Sequence, residues 1–116
     1  MFPYESLEVY KKAFQFNQEV YRLLKSNTTI PSYLKNQLGR ASMRIMLNIA
    51  EGSAKFSVKD RRNFFITARG SAFECAAIIK FLAIEKEIVV LAADDFNSVM
   101  EEVSKMLFAM IKNLEK

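Results

Sequence analysis

The stretch Ser57–Lys86, SVKDRRNFFITARGSAFECAAIIKFLAIEK, decides the fold. It contains no proline, and Phe65, Ala68, Ala72, Cys75, Ile79 and Leu82 recur at three- and four-residue steps. That is the period of an α-helix. Ser57 with Asp60 three residues on is a variant of the capping box, so the helix opens there. Continued to Lys86 at 1.5 Å per residue, it is roughly 45 Å long. A second face carries Ile66, Gly70, Phe73, Ala77, Phe81 and Ile84. A bundle helix needs one apolar stripe about 100° wide, and this one is apolar over much more of its circumference. Two arrangements satisfy it: a central helix buried by its own chain, or a second face packed on another subunit. Ala68, Gly70, Ala72 and Ala76 would let another backbone come close. Ten phenylalanines and six methionines in so short a chain favour self-association, since a large bare apolar patch is an aggregation hazard.

The flanking sequence has the same period. Upstream, Val9, Ala13, Phe16, Val20 and Leu23 mark a helix from Leu7 to Lys25, with Tyr10, Phe14 and Tyr21 widening one flank. Ser6 is its expected N-cap, and Ser26-Asn27-Thr28-Thr29 its stop. A second helix starts near Pro31, a residue suited to a first turn, and carries Leu34, Leu38, Ala41, Ile45 and Ile49. Gly52 is expected to end it as a left-handed residue. Gly39 inside it costs up to about 1 kcal/mol relative to alanine, which fits either close helix packing or an open surface. Downstream, Ile88-Val89-Val90 weakens helix propensity, and Asp94 or Asp95 is the expected cap of a last helix. Phe96, Val99, Met100, Val103, Met106, Leu107, Met110 and Leu114 form its stripe. Four helices of comparable length with short connections predict an all-α fold, an antiparallel up-down four-helix bundle, as a single domain over residues 1–116.

Composition agrees with this and excludes much chemistry. Of the 116 residues, 51% are apolar and 26% charged, with a net charge of +4; disorder is excluded. Three glycines and two prolines are too few for the turns of an all-β domain. One cysteine and no histidine exclude an internal disulfide, a Cys/His zinc site and a Ser-His-Asp or Cys-His device. The N-terminus lacks the apolar run of a signal peptide. No segment approaches the roughly 20 residues needed to span a bilayer. The expected location is cytoplasmic, with no membrane partner.

The charge is unevenly spread. Residues 35–69 carry eight basic and two acidic side chains, whereas residues 70–116 carry five basic and eight acidic. The positive excess centres on the loop between the second and third helices, towards one end of a bundle. Arg40, Arg44, Lys55, Lys59, Arg61 and Arg62 are the candidate contacts for RNA or DNA phosphates, because cations there displace condensed counterions. Phe56 beside Lys55 is either a base-stacking face or a ring folded back on the bundle. In a multimer the same patch repeats, and multivalency strengthens weak contacts.

Polar residues interrupt the apolar pattern at Asn48 and border it at Glu51, Arg69 and Glu74. Di-iron bundles pair glutamate with histidine, and histidine is absent here, so no metal or other cofactor is expected. Pairing of Glu51 and Glu74 with arginines, across helices or subunits, fits better; such pairs set register more than they add stability. Cys75, on an apolar face, is expected to be a small core residue.

The strings Asn48-Ile49-Ala50-Glu51-Gly52 and Ala68-Arg69-Gly70-Ser71 followed by Glu74, with a Ser-x-x-Asp helix start between them, resemble the bacterial family named after the 23S rRNA intervening sequence protein. The openings Leu7-Glu8-Val9-Tyr10-Lys11-Lys12-Ala13 and Gln37-Leu38-Gly39-Arg40-Ala41 fit the same pattern. The resemblance implies an up-down bundle forming homopentameric rings. It makes Asn48, Glu51, Gly52, Arg69, Gly70, Ser71 and Glu74 signature residues of bundle and ring, with no catalytic set. A similar protein, the accessory factor of diversity-generating retroelements, is a basic pentamer that binds a reverse transcriptase and nucleic acid. Met46 departs from the family's frequent proline two residues before the asparagine. The expected function is therefore that of a non-enzymatic homo-oligomer, a pentamer, binding nucleic acid through a basic end. The alternative is an adaptor that docks a protein partner such as a reverse transcriptase or other polymerase.

Overall fold

Short polar bonds fix the order of the helices in the computed structural model, which describes residues 1–115. The helices are α1 (Glu8–Ser26), α2 (Ser32–Ala54), α3 (Val58–Ile84) and α4 (Val90–Leu114). Asn17 Nδ2 donates to the Ser42 carbonyl at 2.7 Å, joining α1 to α2. Arg44 meets Glu74 across α2 and α3 at 2.9 Å. Arg62 with Glu115, Arg69 with Ser104 and Asn97 with Ala76 step in opposite directions along α3 and α4. Lys12 with Glu102 closes α4 on α1 at 2.9 Å. The result is the antiparallel up-down four-helix bundle, 44 × 25 × 22 Å in extent.

The core follows the sequence stripes. Val9, Ala13, Phe16 and Val20 of α1, Leu38, Ala41, Ile45 and Ile49 of α2, and Met100, Val103 and Leu107 of α4 are buried. Phe65, Ala68, Ala72, Cys75, Ile79 and Leu82 bury the first face of α3. Phe16 meets Phe96 edge to face at 5.6 Å, a favoured geometry for aromatic pairs. Cys75 is a core residue, and burial, the first cause, with the Glu74 charge second, pushes its thiol up to about 12. No helix among the described residues is long and apolar enough to cross a membrane.

Helix ends depart from expectation in four places. Ser6 does not cap α1: it lies in a 3-10 turn, Pro3–Ser6, where its hydroxyl donates to the Pro3 carbonyl at 2.9 Å. Leu7 holds the cap position without a side-chain bond. Proline's fixed φ starts that turn, and Glu5 closes it by accepting from the Phe2 N–H at 2.7 Å. Pro31 is the N-cap of α2 rather than its first helical residue. Gly52 does not end α2; the helix runs on to Ala54 and no glycine has a positive φ. Asp94 and Asp95 lie inside α4, whose cap is Val89 with extended backbone, a conformation that suits a β-branched residue.

The start of α3 lies where it was expected, whereas its end falls at Ile84, two residues short of the expected Lys86. Ser57 caps α3 by accepting from the Asp60 N–H at 3.0 Å. Lys86, with φ 63°, turns the chain after α3 in place of a glycine. The Glu87 and Lys86 N–H groups then donate to the Leu82 and Ala83 carbonyls at 2.8 and 3.1 Å, which satisfies the last turn of the helix.

Candidate nucleic-acid interface

Antiparallel packing places the α2–α3 loop, the N-terminal turn and the C-terminus of α4 at one end of the bundle. Lys55 and Phe56 project there because α2 ends at Ala54 and Ser57 already caps α3. Phe56 is fully exposed, so it is not folded back on the bundle. Lys59 is exposed beside it, and Lys55 Nζ lies 5.1 Å from the Phe64 ring centroid.

The six candidate cations do not form one cluster. Lys55, Lys59, Arg61 and Arg62 share the tip. Arg40 and Arg44 lie fifteen and eleven residues before Lys55 on α2, about 22 and 16 Å back along the helix. Arg44 is engaged by Glu74, which also accepts from Gln37 at 3.1 Å. Arg62 donates through Nε and Nη2 to Glu115 at 3.1 and 2.9 Å. That hydrogen bond, with Lys112 nearby, holds the Glu115 carboxyl below the usual carboxylate range. Arg61 Nε is buried without a hydrogen-bond partner among the described residues. Lys55 and Lys59 form no ion pair there either, and both are exposed. Charge counting alone could not show that Glu115, fifty-three residues away, covers Arg62.

The N-terminal segment adds Phe2 and Tyr4, which the sequence pattern did not single out, to the aromatic flank of α1 that it did. Phe2, Tyr4, Tyr10 and Phe14 form a ladder with centroid distances of 5.8, 4.7 and 6.1 Å.

The signature residues spread along α2 and α3. Asn48 Nδ2 donates to the Arg44 carbonyl of its own helix at 2.7 Å. Gly52 is a contact glycine: a Cβ there would lie 2.8 Å from Phe65 Cε1 and 3.0 Å from Phe64 Cβ. The Arg69 guanidinium lies 4.7 Å from the Phe73 centroid and 5.4 Å from that of Phe108; cations favour such aromatic faces. Its Nε donates to the Ser104 carbonyl at 3.3 Å. Ser71 is buried and donates to the Thr67 carbonyl at 3.1 Å. Gly70 faces open space. Glu74 makes the expected interhelical pair, and Glu51 is exposed without an ion pair among the described residues.

The second face of α3 is not covered by its own chain. Ile66, Phe73, Phe81 and Ile84 are 41% to 66% exposed. On another side, Phe14, Tyr21, Leu24, Gly39, Met43 and Met46 line a groove of about 720 Å³ between α1 and α2. The widened flank of α1 was the only trace of this groove in the sequence.

Known proteins share this architecture. A crystal structure of a protein of unknown function from the S23 ribosomal protein family of Bacteroides thetaiotaomicron superposes with a TM-score of 0.85 at 24% identity. The match covers 90% of this chain and 98% of that one; at that identity it speaks to the fold alone. No curated protein matches the sequence. The family model described as 23S rRNA-intervening sequence protein matches residues 5–109. With both motif strings inside that span, the chain belongs to the 23S rRNA-intervening sequence protein family.

Proposed function

We propose that this protein is a non-enzymatic homo-oligomer, a ring of five copies, that holds RNA or DNA through its α2–α3 loops. The observation that carries this reading is Phe56, fully exposed between Lys55 and Lys59. A ring exposed between two cations offers a face on which nucleobases stack with no sequence demand. The neighbouring cations contact phosphates and position the strand without reading bases. One loop offers few free charges, since Arg62 is held by Glu115. Several loops at one end of a ring raise the effective concentration of the later contacts.

Fluorescence anisotropy with a labelled single-stranded RNA, across a salt series, tests this. Affinity should fall steeply with salt, and Lys55→Ala with Lys59→Ala should flatten that dependence. Phe56→Ala should weaken binding with little change in the salt slope. Absence of binding at low salt, or affinity indifferent to salt, overturns the proposal. The adaptor reading rests on the exposed apolar faces of α3 and the α1–α2 groove. It predicts capture of a polymerase that survives neutralisation of Lys55 and Lys59.

A further inference from the structure

We infer that the start of α4, at the end of the bundle opposite the α2–α3 loop, is a docking surface for a basic amphipathic helix of another protein. The inference goes beyond the nucleic-acid reading and uses none of its residues.

Val89, Val90 and Leu91 are consecutive and 63% to 78% exposed. Ile84, the last residue of α3, is exposed across the turn from them. Single exposed aliphatics are ordinary on a protein surface; a contiguous run of them is the kind of patch that marks a contact site. This patch is held firm. Ile88 and Ala93, on either side of the run, are buried. The Glu87 N–H donates to the Leu82 carbonyl at 2.8 Å, and the Glu87 carboxylate accepts from Thr29 Oγ1 at 2.7 Å. Lys86 makes the left-handed turn that folds α4 back on α3. An apolar surface fixed in this way loses little freedom on binding.

The residues here forgo helix stability. Val89 holds the cap position without a side-chain bond, and no acidic residue lies in the first turn of α4. Serine or aspartate at the cap, or an acid in the first turn, would each stabilise that helix. The acids come one turn later, as exposed Asp94 and Asp95. They follow Leu91 by three and four residues, which puts them on its side of the helix.

Charge selects the occupant. From Ile84 to Asp95 the chain carries four acidic side chains and one basic, Lys86. Glu85, Asp94 and Asp95 are exposed and in no ion pair among the described residues. From Lys55 to Arg62, at the other end, the count is reversed, with four basic and one acidic. An aliphatic patch rimmed by carboxylates repels polyanions and anionic bilayers. It matches a helix whose aliphatic face is flanked by lysine or arginine. The bundle is 44 Å long, so such a partner and a nucleic acid at the far tip do not compete.

Fluorescence anisotropy with a labelled synthetic helix of leucine and lysine, leucines on one face, tests the inference. Its twin with glutamate in place of lysine is the charge control. Wild type should bind the lysine peptide and not the glutamate twin. Val89→Ser with Leu91→Ser should weaken binding about tenfold or more. The melting midpoint of that variant should be no lower than that of wild type, because a serine hydroxyl at the cap of α4 takes up a free N–H. Asp94→Lys with Asp95→Lys should reverse the preference, so that the glutamate twin binds. Lys55→Ala with Lys59→Ala, and Met43→Ser in the α1–α2 groove, should each leave the affinity unchanged. No binding of the lysine peptide to wild type, equal binding of both peptides, or binding that Met43→Ser removes and the Val89–Leu91 variant keeps, overturns the inference. So does a different occupant. Co-sedimentation with phosphatidylcholine vesicles that Leu91→Ser abolishes would assign the patch to a bilayer, and a wild-type mass in light scattering that Leu91→Ser lowers would assign it to a second copy.

Discussion

Gly52→Ala adds one methyl group where Phe64 and Phe65 of α3 pack directly on α2, and the structure sets the size of its effect. The new Cβ would stand 2.8 Å from Phe65 Cε1, 3.0 Å from Phe65 Cδ1 and 3.0 Å from Phe64 Cβ. Phe65 is buried in the core, and Phe64 Cβ is fixed to the α3 backbone. Neither can move aside by a simple rotation, so the helices must separate by several tenths of an ångström. Overpacking of this kind costs about 1–3 kcal/mol, while alanine in a helix interior recovers up to about 1 kcal/mol. A net loss of about 1–2 kcal/mol remains, which lowers the melting midpoint by roughly 5–10 °C in a domain of this size. Gly70→Ala is the control: its Cβ meets nothing within 4 Å, so it should gain about 0.5–1 kcal/mol. Thermal and urea melts of both variants, at one low protein concentration because assembly shifts the midpoint, make the comparison. If Gly52→Ala stabilises as much as Gly70→Ala, the close approach of α2 and α3 is wrong, and with it the placement of the loop they carry.

Other expectations follow from single contacts. Glu115 has its carboxyl held low in the folded state by Arg62. Its contribution is therefore present above the ordinary carboxylate range and lost as pH falls through the depressed folded value. Hydrogen exchange in the last turn of α4 should accelerate over that acidic window in wild type, and Glu115→Gln should remove the pH step. Cys75, its thiol pushed up to about 12 chiefly by burial, should resist iodoacetamide at about pH 8, where an unperturbed thiol reacts readily, and react on addition of urea; rapid stoichiometric labelling of the folded protein would contradict its place in the core. Arg44→Ala should cost no more than about 1 kcal/mol, because the pair with Glu74 is partly exposed on both sides; a much larger loss in urea melts would mean that Glu74 is left buried without water. Lys59→Ala should reduce the salt slope of single-stranded RNA binding by about 0.7 for each phosphate the lysine neutralises. Arg62→Ala should change that slope less, since Glu115 already neutralises it.

The helices and their buried stripes were legible because burial imposes a 3.6-residue period on the side chains that face inward. The start of α3 was legible for a local reason, the Ser57 hydroxyl reaching the Asp60 N–H. Other ends were not, because non-local packing decided them. Gly52 looked like a helix stop, yet the space it leaves is filled by Phe65 from another helix. Lys86 takes the left-handed turn that glycine usually takes, and no composition rule marks a lysine for that. The excess apolar circumference of α3 was visible in the sequence, and its second face is indeed bare in the single chain. The basic tip was legible only in part. Lys55, Phe56 and Lys59 are local to one loop, whereas the neutralisation of Arg62 by Glu115 and the retreat of Arg40 and Arg44 along α2 depend on the register and direction of the packed helices.

Proposed assembly and proposed binding both depend on what covers the second face of α3, from Ile66 to Ile84. Light scattering of the purified chain in moderate salt, over a range of concentrations and without nucleic acid, tests this most directly. Several copies of the 13.3 kDa chain, held together as salt rises because the contact is apolar, is the predicted result. A single chain at every concentration, soluble with that face bare, would contradict the account.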